Sequence, residues 1–328
     1  MRLATLKDKH SRDGKLVLIN KERTHFVDAT PIAPNLREAI ETWSVTSAKL
    51  KELQLNLDSG KIAAQQKIDW SLFHSPLPRS FQWIDGSAFI QHVKLVRKAR
   101  GAELPPNLLT TPLIYQGGSD SFLAPLEDIP QIDFAHGTDF EGEIAVILDE
   151  TPMAITPEEA LKKIILVVIC NDVSLRGLIP EELAMGFGFF QSKPSSAFGP
   201  ISLTPDELGD RWKDGRLHLP LIVNYNKQFF GKANAGEMHF NFGQIIAHAA
   251  RTRSLAAGTI IGSGTVSNVD VTMGSSCLAE KRMLEQINEG KIVTPFMKVG
   301  DTIEICVKDE RGVDLFGTIN QRIVPFKK

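Results

Sequence analysis

The sequence has little of what marks several whole classes of protein. It holds three cysteines in 328 residues, Cys170, Cys277 and Cys306, with no CxxC pair among them. That set supports neither a thiolate zinc site nor a disulfide framework, and a reducing compartment is the simpler expectation. Net charge is nearly absent: 37 Lys and Arg against 39 Asp and Glu leave −2. Such a balance gives no reason to expect nucleic acid or an anionic membrane as partner. Long hydrophobic runs are missing as well. Residues 164–170 form the longest, well short of the roughly 20 apolar residues that span a bilayer as a helix. The N-terminal stretch MRLATLKDKHSRDGK is charged and has no apolar core, so it does not read as a signal peptide and a cytoplasmic location is expected. Walker A, G-x-G-x-x-G, G-x-S-x-G and H-E-x-x-H patterns are all lacking. Nucleotide binding, serine hydrolysis and zinc proteolysis are left without support.

What is present suits a packed globular chain, with 42% hydrophobic residues. Residues 16–19 and 24–27 flank a turn and predict a hairpin. Apolar residues recur at helical spacing over 35–55. A polar segment, 58–80, is then broken by Pro76 and Pro78, which places a domain boundary near residue 78. Beyond it, residues 143–148, 164–170, 219–225, 228–230, 302–307 and 314–323 read as strands. Thr156-Pro157-Glu158-Glu159 and Thr204-Pro205-Asp206-Glu207 read as capping boxes opening short helices, and 242–253 as a further helix. Many strands with few, short helices predict an α+β fold dominated by sheet: a small N-terminal α+β domain, 1–78, and a larger one, 79–328.

Three local patterns could carry chemistry. In Asp139-Phe140-Glu141-Gly142-Glu143, alternation along a strand sends Glu141 and Glu143 to one face, with Asp139 a candidate to join them. Nothing basic between them relieves their repulsion. A divalent cation would, although a solvated strand surface explains such a pair equally simply. Asp172 follows the apolar run 164–170 and so stands at the end of a buried strand, where a turn residue is the plain alternative. Arg176 lies four residues on, and Lys193 in Phe190-Gln191-Ser192-Lys193-Pro194. Asp85 and His92 are seven residues apart and would share one face if the segment between them were helical. His92 would then suit a general base. A helix cap and an incidental histidine explain that pair without any chemistry.

Taken in order and spacing, these patterns resemble the fumarylacetoacetate hydrolase superfamily over about residues 79–328. The resemblance implies a mixed β-sandwich or roll as catalytic domain, with residues 1–78 matching a small appended domain chiefly by length. It assigns Asp85, Glu141, Glu143 and Asp172 (within Asn171-Asp172-Val173-Ser174-Leu175-Arg176) to a metal site. His92 becomes the catalytic base and Glu280, closing Gly274-Ser275-Ser276-Cys277-Leu278-Ala279-Glu280, its partner. Arg176 and Lys193 join the catalytic set, while Tyr115, Arg100 and Thr265 are implied as substrate contacts. Four carboxylates without thiolate or imidazole select a hard cation, Mg²⁺, Mn²⁺ or Ca²⁺. The implied activity is C–C bond hydrolysis of a small diketo acid, fumarylacetoacetate or a related acylpyruvate, in the breakdown of tyrosine and other aromatics. A homodimer is implied too. Ser87 and Ile179 stand where the family has Tyr and Gln, which leaves the diketo acid itself open. The alternatives are an isomerase, hydratase or decarboxylase on the same platform, or a catalytically silent metal-binding protein.

Overall fold

The computed structural model describes residues 1–99, 103–104 and 106–327. Its centre is a pair of antiparallel strands, Gly142–Leu148 and Ile164–Asn171, in which every residue is buried. Such β-branched, fully apolar runs form strands covered on both faces. Alternation of side chains then divides the interior in two. Ile144, Val146, Leu148, Val167 and Ile169 point into one core, shared with Leu221, Val223, Ile303 and Ile305. Ala145, Ile147, Leu166, Val168 and Cys170 point into another, shared with Leu3, Leu16, Leu18, Leu36, Ile40 and Leu50.

The central pair belongs to a twelve-stranded sheet, and the first core packs it on a five-stranded sheet built around Pro220–Tyr225, Thr302–Val307 and Ile319–Pro325. The second core packs the other face against two helices, Leu36–Glu41 and Trp43–Asp58. The arrangement is mixed α+β and sheet-dominated, as expected. The strand Arg2–Asp8 pairs with Ile201–Leu203, so residues before 78 extend the large sheet by main-chain hydrogen bonds.

Several local expectations hold with shifted ends. The hairpin pairs Ser11–Ile19 with His25–Asp28, through Leu18 opposite Val27. The single helix expected over 35–55 is two, broken at Thr42. The Thr156 capping box forms, its hydroxyl accepting from the Glu159 N–H. Thr204 makes no such cap; its hydroxyl accepts from the α-amino group of Met1 instead. The helix expected over 242–253 stops at Ala249, and the last strand begins at Ile319 rather than at 314. Among the described residues no helix is long and apolar enough to cross a membrane.

Candidate active site

Four strands bring the acidic residues together. Trp83–Gly86 runs parallel to Ile260–Gly262, with Asp85 opposite Gly262, and Gly262 faces Ala145 on its other side. Glu143 sits two residues before Ala145. Asp172 follows the neighbouring strand and its N–H donates to the Glu141 carbonyl at 3.0 Å. Carboxylate oxygens of Asp85, Glu143 and Asp172 thereby lie within 4.8 Å of one another, all three residues buried. Gly262 makes this approach possible: a Cβ there would overlap Asp85 Oδ1 and stand 3.0 Å from Glu143 Oε2.

The three carboxylates are unequally satisfied. Asp172 accepts from Tyr115 Oη, from Lys193 Nζ at 2.6 Å and from Ser196 Oγ at 2.6 Å. Asp85 accepts from the Gly264 N–H at 3.1 Å. Glu143 has no donor to either oxygen among the described residues. Burial, then the charges of Asp85 and Asp172, push the Glu143 carboxyl well above its ordinary pKa. Burial, then Asp172, does the same to Asp85. A buried carboxylate with no partner costs several kcal/mol, on the order of the penalty for any desolvated ion. A hard divalent cation fits this donor set: oxygen ligands only, converging, with the Asp85 carboxyl the one hydrogen-bonding side chain beside Glu143 among the described residues. Asp85, Glu143 and Asp172 are the residues that would hold it.

Glu141 differs from the expected fourth ligand. Its Oε1 accepts from Arg176 and Thr265, both at 2.7 Å, and its Oε2 from Lys193 at 2.5 Å and Ser174 at 3.1 Å. Four donors fill the capacity of a carboxylate, and Glu141 stands outside the group of three. Burial alone would raise its pKa, but Arg176 and Lys193 hold it well below the ordinary value. These two cations, which arrive through space and not from the strand itself, neutralise Glu141, whereas Glu143 has no such partner and still feels the Glu141 charge. Burial works against the charge of Arg176 and of Lys193, yet both stay raised: Glu141 and Asp139 do this for Arg176, Asp172 and Glu141 for Lys193.

Asp139 does not join the acidic face. It anchors Arg176 Nε at 2.9 Å and accepts from the N–H groups of Leu278 and Ala279, at the start of the helix Leu278–Glu289. An acidic group at a helix N-terminus is favoured by the exposed N–H groups there. That helix carries Glu280 in its first turn, and Glu280 Oε2 lies 3.1 Å from His92 Nδ1. The proposed helical face shared by Asp85 and His92 does not exist. Asp85 lies in a strand that ends at Gly86, the helix Ile90–Ala99 starts five residues after Asp85, and the two side chains meet only as walls of one cavity.

That cavity is about 420 Å³ and is lined by Asp85, His92, Tyr115, Glu141, Arg176, Lys193 and Thr265. Of the substrate contacts expected from the sequence, Tyr115 and Thr265 line it, although the hydroxyls of both already donate to carboxylates. Arg100 lies outside the described residues. Ser196 gave no sequence signal, standing in ordinary loop composition. Ser174 lies in the segment Asn171-Asp172-Val173-Ser174-Leu175-Arg176 quoted for the resemblance, which gave it no role, and the role of Gly262 depends on two strands that are remote from it in sequence.

This constellation on a sheet-dominated α+β frame defines a family. Residues 82–324 match the model described as the fumarylacetoacetate (FAA) hydrolase C-terminal domain, and residues 1–79 that of the fumarylacetoacetase N-terminal domain 2. The chain belongs to the fumarylacetoacetate hydrolase family of enzymes. It is 28% identical over 220 residues to 2,4-didehydro-3-deoxy-L-rhamnonate hydrolase from Sphingomonas sp. (strain SKA58), covering 65% of each chain, just under two thirds of that relative. It is 25% identical over 255 residues to oxaloacetate tautomerase YisK from Bacillus subtilis (strain 168), covering 76% of this chain and 72% of the relative. Among solved structures, maleylpyruvate hydrolase from Sphingobium sp. SYK-6, in complex with manganese(II) and pyruvate, superposes with TM-score 0.66 at 15% identity, over all of both chains. Hydrolase and tautomerase are thus both represented among its relatives.

Proposed function

We propose that this enzyme hydrolyses a C–C bond in an acylpyruvate-like diketo acid, with a divalent cation held by Asp85, Glu143 and Asp172. The observation carrying this reading is that His92, paired with Glu280, lines the same cavity as Asp85, whose carboxylate converges with those of Glu143 and Asp172. Hydrolysis needs water deprotonated beside the substrate, which this pair can do; enol–keto exchange would use the same pair only to move a proton of the substrate. The manganese and pyruvate bound by the maleylpyruvate hydrolase lend further support.

When bound, the cation would act as a Lewis acid on the oxo-acid oxygens. The chain's own groups do the rest. Glu280 accepts from Nδ1–H of His92, which fixes the tautomer and leaves Nε2 to take a proton from water. The hydroxyl adds to the acyl carbonyl, and the C–C bond to the pyruvate methylene breaks with its electron pair leaving on pyruvate. The proton on His92 returns to that carbon. Arg176 and Lys193, fixed by Asp139, Glu141 and Asp172, supply the positive potential next to which negative charge develops.

The test is a panel of acylpyruvates with Mg²⁺ or Mn²⁺, followed by loss of the diketone ultraviolet absorbance and by identification of the products. Release of pyruvate and the free acid is expected. Oxaloacetate enol–keto exchange without any acylpyruvate cleavage would replace this reading with the tautomerase one, which the relative from Bacillus subtilis favours.

A further inference from the structure

The cavity lining is of two kinds: beside its charged groups stand the apolar side chains of Val93, Leu113, Ile114, Ile179, Leu183 and Phe189, with Arg97 one turn from Val93 on the same helix. Ile179 and Leu183 are four apart on the helix Ile179–Met185 and share one face. Phe189 packs edge-on against the Tyr115 ring, 5.0 Å between centroids, which joins the apolar lining to the polar one. Leu113 and Leu183 are 38% and 46% exposed, so apolar surface stands open to water inside a binding cavity.

Charge in the lining points the same way. Six carboxylates, those of Asp85, Asp139, Glu141, Glu143, Asp172 and Glu280, face two cations, Arg176 and Lys193, already engaged with them. Both cations are taken up by Asp139, Glu141 and Asp172, so neither is offered to a second anionic group on the ligand. We infer that the apolar lining of the cavity selects substrates with an apolar acyl chain, over substrates ending in a second carboxylate, through Leu113, Ile179, Leu183 and Phe189. This inference rests on the acylpyruvate reading for the reacting end alone. Arg97, which also lines the cavity, is the group that could reverse the preference; its Nη1 donates to the Glu103 carbonyl at 2.8 Å.

The test is calorimetric binding of 2-oxo acids to the metal-loaded enzyme, which needs no turnover. Each methylene buried against this lining tightens binding by up to about fourfold. From pyruvate to 2-oxohexanoate a gain of at least about tenfold is expected. 2-Oxohexanoate should also bind at least about tenfold more tightly than 2-oxoadipate, which differs only by a carboxylate at the far end. Leu183→Ser and Leu113→Ser, at partly exposed positions that should not disturb folding, should each shrink the gain to a few-fold. Equal or tighter binding of 2-oxoadipate, lost in Arg97→Gln, would overturn the inference and assign a carboxylate to Arg97. So would a chain-length gain unchanged in both Leu variants. If chain-length selectivity holds and no acylpyruvate is cleaved, the inference stands while the hydrolase reading falls; cleavage without selectivity reverses that outcome.

Discussion

At Glu143 the protein keeps two buried carboxylate oxygens without a donor, and the consequence is measurable as pH dependence. Below about pH 4.5 the group is protonated in folded and unfolded chains alike. Above it the unfolded chain releases the proton while the folded one retains it, so the ion-free protein loses stability as pH rises towards the raised native pKa. Glu141, lowered by Arg176 and Lys193, has the opposite sign: its contribution is full above pH 4.5 and fades as pH falls through the native value. Glu143→Gln should therefore match wild type in chelator near pH 4.5 and become more stable than wild type as pH rises, by about 1.4 kcal/mol per unit of raised pKa. Thermal melts across pH check this, and a variant less stable at every pH would refute it. His92 differs from the carboxylates because it touches no group of the metal set. His92→Ala should keep the thermal shift given by Mg²⁺ and lose roughly 10²–10⁴ in turnover. A turnover within a few-fold of wild type would remove the proposed base.

The site is assembled by strands meeting, and one glycine sets how closely they meet. Gly262 lies between Asp85 and Ala145 in register, where a Cβ would overlap Asp85 Oδ1 and the Trp83 ring. Gly262→Ala should cost about 1–3 kcal/mol of stability by overpacking and also weaken the cation's stabilising effect, because Asp85 must move. Chemical denaturation with and without Mg²⁺ separates the two effects, and an undiminished Mg²⁺ effect would detach Gly262 from the site. The same scale explains what the sequence made legible. Residues 143–148 and 164–170 read as strands from their apolar runs, which are buried on both faces in the observed strands Gly142–Leu148 and Ile164–Asn171, and this located Glu143 and Asp172. The Asp85–His92 relation was misread, since helical spacing was assumed across a strand end at Gly86 and a helix start at Ile90. The saturation of Glu141 by Arg176, Lys193, Thr265 and Ser174 could not be read at all. Those partners are 33 to 124 residues away along the chain and meet it only through tertiary packing.

In the whole molecule, the twelve-stranded sheet carries a core on each face, and its strands also position the acidic group. An ion bound there would for that reason be coupled to global stability. Saturation at a hundred times the dissociation constant adds about 2.7 kcal/mol, so chelation should lower the melting temperature by several degrees and added Mg²⁺ or Mn²⁺ restore it. A melting temperature indifferent to both would mean that no ion is held in the core of the fold. The most direct measurement is an anomalous difference map from crystals of the protein loaded with Mn²⁺. One strong peak per chain is expected, bonded to Asp85, Glu143 and Asp172 and facing the cavity lined by His92. A fully loaded crystal with no peak between those three carboxylates, or with its peak elsewhere, would contradict the metal site and the chemistry built on it.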